Sequence, residues 1–303
     1  MRRRPGDRIF SGSVTGAGLL ILAVLAGVAA FLLAQAWPAI VAPAAEIPGD
    51  GHLISYIAPL AFGTLLSAVI AVVLAVPLAV GIALYVTHYA PRRFAQGMGY
   101  LIDLLAAIPS IIFGLWGIEV FGPASLDLAL WLEDNLGFIP LFAGPASTTG
   151  RTMLVVGVVL AVMILPVITA VMREVFLQTP RLHEEASLAL GATRWEMIRM
   201  CVLPFGRSGM ISASMLGLGR ALGETMAVAI ILSSSGAVTF NLIGRENSPT
   251  IAATIALDFP ERTGIEVNAL IAAGLVLFVM TLAVNMTARA IINQRRGFSG
   301  ADL

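Results

Sequence analysis

Arg220 and Glu224 lie in the run Gly217-Leu-Gly-Arg-Ala-Leu-Gly-Glu-Thr-Met-Ala-Val228, near the middle of an otherwise apolar stretch from Ser208 to Ser235. That stretch is long enough to cross a bilayer, and each charge at that depth costs about 2.5–3.5 kcal/mol unless compensated. On one helix, residues four apart project about 40° from each other, so guanidinium and carboxylate can form an ion pair on one face. That face must look into protein or water. From these residues alone, the pair serves equally well as a lock between two helices, with Gly219 and Gly223 as a small-xxx-small face, or as a polar contact in a passage.

The elements that position the pair follow from composition. The chain has 303 residues, 58% hydrophobic and 12% charged, with a mean hydropathy of +0.92. Such a chain is too apolar and too charge-poor for a soluble domain of this size, and an all-α integral membrane protein is expected. All 18 basic residues are arginine. The single cysteine, Cys201, excludes an intrachain disulfide. His52, His88 and His183 are isolated, without metal-ligand spacing, so no metal is expected. The sequence carries no Walker-type Gly-rich loop, so this chain is not expected to be an enzyme, and any ATP hydrolysis must come from another chain. Nothing in it points to nucleic acid.

Six apolar segments read as transmembrane helices: residues 14–36, 57–87, 101–121, 153–172, 208–235 and 267–292. The first follows a basic head and ends near Ala34-Gln-Ala36, which imitates a signal-peptidase site, but it exceeds the roughly 7–15 residues of a signal core and reads as an uncleaved span. Six spans put both termini on one side. With residues 1–13 and 293–303 as cytoplasmic tails, Arg2, Arg3, Arg4, Arg8, Arg92, Arg93, Arg173, Arg181, Arg194, Arg199, Arg207, Arg289, Arg295 and Arg296 all fall inside. Only Arg151, Arg245 and Arg262 fall outside, among mostly acidic loops, so the positive-inside rule fixes this orientation.

Individual segments add detail. The second span contains Pro59 and Pro77, and a tilt or kink is expected there. The third contains Ala107-Ile-Pro-Ser-Ile-Ile-Phe-Gly-Leu-Trp-Gly117. Pro109 frees a carbonyl, while Gly114 and Gly117 admit a second backbone, which suits either a broken helix lining a passage or a packed kink. Asp103 and Glu119 read as interfacial. Outside, Ser125 to Asp134 suits a short helix, and Gly236 to Glu266 reads as a polar loop. Inside, residues 179–204 are longer than a turn requires. Thr179-Pro180 is a helix start, Gly191 an interruption and Pro204 a stop, which would present Ala186, Leu190 and Trp195 to a soluble partner.

These last residues resemble a known pattern. Glu185-Ala186-Ser187, three residues, Gly191, nine residues, then Cys201-Val202-Leu203-Pro204 is similar to the EAA loop of ABC-importer permeases. Ser187 stands where that pattern has a second Ala, and Cys201 where it has Ile. Two further stretches, Ala107 to Gly117 and Gly217 to Val228, resemble the PstC-type permeases of phosphate-specific importers.

The resemblance implies a type I ABC importer permease fold with six transmembrane helices and a cytoplasmic coupling helix, in a bacterial inner membrane. It implies a second, PstA-like permease, PstB-like ATPase subunits that use ATP and Mg, and an extracytoplasmic PstS-like phosphate-binding protein, with no cofactor on this chain. Coupling is then expected at Glu184, Glu185, Ala186, Gly191, Leu203 and Pro204, and the substrate pathway at Arg220, Glu224, Ser110 and Pro109. An anion passage needs a positive group that binds without trapping. Arg220 supplies a planar fork for phosphate oxygens, and Glu224 is expected to hold it and soften its grip. An importer for molybdate or sulfate is the rival within this class. An ion-coupled secondary carrier is the rival from another.

Overall fold

The computed structural model describes residues 5–48 and 51–296, with side chains from 10 to 291. It is helical almost throughout. α1 (Pro5–Val41) runs straight through Pro38, and α2 (Leu53–Leu84) continues through both Pro59 and Pro77. α2 passes into a π-helical turn, Tyr85–Tyr89, before α3 (Arg92–Ala106). α4 (Ser110–Trp116), a second π turn (Gly117–Phe121) and the single turn α5 (Gly122–Ala124) complete the third segment. α6 (Leu126–Leu136) is the short helix expected from its Leu, Trp and acid mixture. α7 (Met153–Leu177) then begins at Thr152, whose hydroxyl accepts from Val155 N at 3.3 Å.

α8 (Arg181–Ala189), α9 (Arg194–Met197) and a third π turn (Ile198–Val202) form the long loop, followed by α10 (Leu203–Leu222) and α11 (Met226–Ile231). α12 (Ile251–Asp258) and α13 (Ile265–Arg296) close the described chain. By length and apolarity, four helices among the described residues qualify as membrane crossings, and five if α3 with α4–α5 counts as one crossing bent by 90°. The remaining expected crossing is α10 with α11, interrupted at Gly223–Thr225.

α7 is the centre of the core. It packs on α2, α10 and α3, while α1 packs on α13 at the periphery. α2 offers α7 and α10 the small side chains Ala68, Ala71, Ala75, Ala79 and Ala83, all fully buried, whose near-regular four-residue spacing keeps them on one face. Small residues let helix backbones approach where lipid supplies no hydrophobic drive between helices. α10 repeats the device toward α7: a Cβ on Gly217 would lie 2.5 Å from Ile168 Cδ1, and one on Gly206 3.0 Å from the Phe176 ring. α1 has the opposite character, with no buried residue in its most apolar window, as expected for a surface that faces hydrocarbon or another subunit.

Two readings of helix limits change. Pro204 does not stop a helix but sits in the first turn of α10, and the π turn immediately before it widens the backbone. A proline in the first turn needs no intrahelical donor, so the chain stays helical from Arg194 to Leu222. The stretch 236–266, expected as a polar loop, is not loop throughout. Ile251-Ala-Ala-Thr-Ile-Ala-Leu-Asp258 forms α12 and packs on α13, α2 and α11.

Candidate functional site

Both interrupted spans meet. α4 lies against α11, where a Cβ on Gly114 would come within 2.8 Å of Ala227 Cα. A Cβ on Gly117 would meet Ile231 Cδ1 and Val159 Cγ2 at 2.7 Å. The two glycines therefore seat the half-helix after Pro109 directly on the half-helix after Thr225. Pro109 occupies the N-cap of α4 in an extended conformation, as its ring and missing N–H favour, and the half-buried Ser110 opens the helix. The broken third span is thus present, and its break stands one to two turns from the α11 contact.

Arg220 and Glu224 do not share a helical face. α10 ends at Leu222, and Gly223 leaves helical geometry with φ −93° and ψ 3°. Glu224 is buried, at 8% exposure, and its Oε1 accepts from Ala227 N at 3.1 Å, satisfying one of the free donors that open α11. No ion pair joins it to Arg220 among the described residues. The expected i,i+4 pair is therefore replaced by a helix-opening contact, because the interruption at Gly223 rotates the carboxylate off α10.

Arg220 instead lines an open cleft of about 470 Å³ between α10 and α13, with Ser212, Leu216, Asn285 and Arg289. Ser212, Leu216 and Arg220 follow one another at four-residue steps along α10, and Asn285 and Arg289 do so on α13. Gly219 has no atom within 4 Å of where a Cβ would sit, and Gly223 meets only its own helix. The small-xxx-small face thus packs against nothing among the described residues. The small residues that do seat α10 are Gly206, Gly209 and Gly217, whose Cβ positions would meet Phe176, Val175 and Ile168 of α7.

The long loop is a formed lever. α8 starts after Pro180, and Gly191 takes φ +89°, a left-handed conformation with open space where a Cβ would be, so glycine is needed there for backbone reasons alone. Thr193 and Glu196 form a capping box: Thr193 N and Oγ1 donate to Glu196 Oε2 at 2.8 and 2.7 Å, and Glu196 N donates to Thr193 Oγ1 at 3.3 Å. Those bonds to Thr193 hold the Glu196 carboxyl below its usual pKa. Glu185 and Ala186 are exposed, Glu184 half-buried, and Leu190 and Trp195 are 90% and 57% exposed. Leu203 is half-buried and Pro204 exposed at the head of α10.

Two tertiary contacts have no clear sequence signal. His88, isolated in the sequence, is clamped: its Nε2 lies 3.5 Å from Glu184 Oε1, its Nδ1 lies 2.6 Å from Thr87 Oγ1, and Arg194 Nη1 donates to its carbonyl at 3.4 Å. The π turn after α2 is thereby tied to both α8 and α9. On the other side, Asn247 is fully buried and its Nδ2 donates to the carbonyls of Arg151 and Ser233 at 3.0 Å, while Met153 N donates to its Oδ1 at 2.9 Å. One side chain pins the loop after α11 to the start of α7. The described residues hold no cluster of metal-ligating side chains.

Residues 75–296 match the family model described as binding-protein-dependent transport system inner membrane component. The phosphate transport system permease protein PstC 2 of Mycobacterium tuberculosis is 47% identical over 300 residues, which covers 95% of this chain and 92% of that one. The PstC of Mycobacterium leprae is 46% identical over 300 residues, covering 95% and 94%. The chain belongs to the PstC-type permeases of this family. A bacterial ABC transporter involved in the import of the acidic polysaccharide alginate has the same fold, with a TM-score of 0.56 at 15% identity, over 78% of this chain and 79% of that one. A PstC-type permease is a transport component of the membrane.

Proposed function

We propose that this permease forms half of the membrane pathway of an ATP-driven phosphate importer in a bacterial inner membrane, with both termini cytoplasmic. A PstA-like permease supplies the other half, PstB-like subunits hydrolyse ATP, and a PstS-like protein delivers phosphate from outside. The observation that carries this reading is the placement of Arg220. It is the one arginine far from either end of its span, it makes no ion pair among the described residues, and it faces an open cleft rather than the α2–α7 core. A free guanidinium there can donate to phosphate oxygens and release them as its surroundings change.

The same helix links this contact to the ATPase. Glu184, Glu185, Ala186 and Gly191 present the coupling helix α8, and Leu203 and Pro204 begin α10. Seventeen residues of α10, about 26 Å, separate Leu203 from Arg220. A push on α8 reaches the π turn Ile198–Val202 on which it rests, and then α10 as a rigid rod. Ser110 and Pro109 open α4 beside α11, so displacement of α10–α11 alters the join of the two broken spans. Glu224 belongs to that join as the opening contact of α11, and it acts on Arg220 through backbone rather than by pairing.

The test is ATP-driven uptake of radiolabelled phosphate by the complete complex in proteoliposomes, with the binding protein outside and competing molybdate or sulfate. Uptake that needs ATP and resists both competitors supports the reading. Competition by molybdate or sulfate at equal concentration assigns a different oxyanion, and uptake driven by an ion gradient without ATP rejects the ABC mechanism.

A further inference from the structure

A second cleft, of about 480 Å³, opens where the end of α2, α3, α7 and α8 converge, and three guanidiniums line it: Arg92 at the head of α3, Arg173 on α7 and Arg181 at the head of α8. Gln96 and Tyr100 line it with them, one and two turns along α3 from Arg92, and Asp103 is the single acid in the lining. Arg92 and Arg181 make no ion pair among the described residues. Arg173 is fixed by Glu174, with Nη2 to Oε1 at 2.9 Å, and lies over α3 at Gly99, where a Cβ would collide with its Nη1. Two unpaired guanidiniums, a third held by Glu174, and one lining acid leave this concave site with net positive charge, which attracts an anion, and guanidinium forks match phosphate oxygens. The volume lies in the range of small-molecule sites and exceeds what a bare metal-free counter-ion needs.

We propose that this cleft is a second phosphate-group site, distinct from the Arg220 cleft and used for binding rather than passage. Its placement rests on the orientation proposed above, which puts α8 and the ends of α2 and α7 at the cytoplasmic surface. Basic pockets between helices at that surface hold the phosphate of anionic lipid headgroups, and free phosphate released after transport carries the same chemistry. Three walls belong to the membrane body and the fourth, through Arg181, to the coupling helix. An occupied site therefore ties α8 to α3 and α7, next to the His88–Glu184 contact.

The test uses the assembled complex in an Arg220→Ala background, which removes the pathway contact from the measurement. One arm measures retention of cardiolipin or phosphatidylglycerol by native mass spectrometry after detergent washing. The other measures equilibrium binding of radiolabelled inorganic phosphate in nanodiscs of phosphatidylcholine alone. Wild-type clefts retain the anion in one arm or both, and Arg92→Gln/Arg181→Gln weakens that retention by about tenfold or more, whereas Arg93→Gln leaves it unchanged. Signal in the first arm assigns a lipid headgroup, and signal in the second assigns free phosphate. Equal retention by the double variant and by Arg93→Gln, or no retention in either arm, overturns the site. Neither arm requires transport, so loss of phosphate uptake selectivity would remove the proposed function and leave this result standing.

Discussion

Glu224 and Arg220 are four residues apart and serve different neighbours: the carboxylate accepts from Ala227 N at 3.1 Å within the fold, and the guanidinium lines the cleft toward α13. Variants at the two positions should therefore fail in different ways. Glu224→Ala leaves the buried Ala227 N–H without a partner, at about 1–3 kcal/mol, and should lower the melting temperature of the purified complex. Glu224→Gln keeps a carbonyl oxygen for that bond and should melt near wild type. Arg220→Ala should also melt near wild type, since the side chain has no ion pair to lose among the described residues.

The join of the broken spans should be intolerant of added volume. Gly114→Ala brings a methyl to 2.8 Å from Ala227 Cα, a backbone atom that cannot swing aside, and should destabilise by about 1–3 kcal/mol. Gly219→Ala meets nothing within 4 Å and should leave the stability of the chain unchanged. Thermal melting of each variant, with uptake measured in parallel, separates these outcomes. Equal stability for both would contradict the close approach of α4 and α11.

The His88 clamp should matter for coupling rather than for assembly. Removing the imidazole in His88→Ala detaches the end of α2 from Glu184 on α8. ATP hydrolysis by the complex should persist while phosphate moved per ATP falls severalfold. A ratio equal to wild type would show that the contact transmits nothing.

Asn247 should be the costliest single polar side chain outside the membrane core. Asn247→Ala removes the acceptor of Met153 N and the donor to Arg151 O and Ser233 O, leaving buried groups unpaired at about 1–3 kcal/mol each. The outer loops of the variant should become sensitive to added protease at temperatures where the wild type resists, and Asn247→Asp, which keeps only the acceptor, should fall between.

Much of this was legible in the sequence, because the strongest signals there are length, apolarity and backbone-breaking residues. The Pro109 break and the Gly191 turn each rest on one-residue physics and appear as expected. The interruption at Gly223 was hidden, since Leu222-Gly-Glu-Thr225 reads as continuous helix. An acid just before Met226-Ala-Val-Ala-Ile-Ile is, however, a helix-start signal that marks it. Pro204 reads as a stop in the sequence, and the π turn before it, which has no local sequence signature, lets the helix continue instead. His88 and Asn247 act through partners nearly a hundred residues away, and no local pattern reports such contacts. The second arginine of the α10–α13 cleft, Arg289, belongs to a helix end where a basic residue ordinarily marks only the membrane surface.

Arg220 is the proposed contact through which the anion passes. The direct measurement is ATP-driven phosphate uptake by the reconstituted complex carrying Arg220→Ala or Arg220→Lys, with subunit assembly verified on the same preparation. Loss of the bidentate fork should reduce uptake by about tenfold in Arg220→Lys, and loss of the charge by about a hundredfold in Arg220→Ala. Uptake near wild type in a fully assembled Arg220→Ala complex would contradict the account.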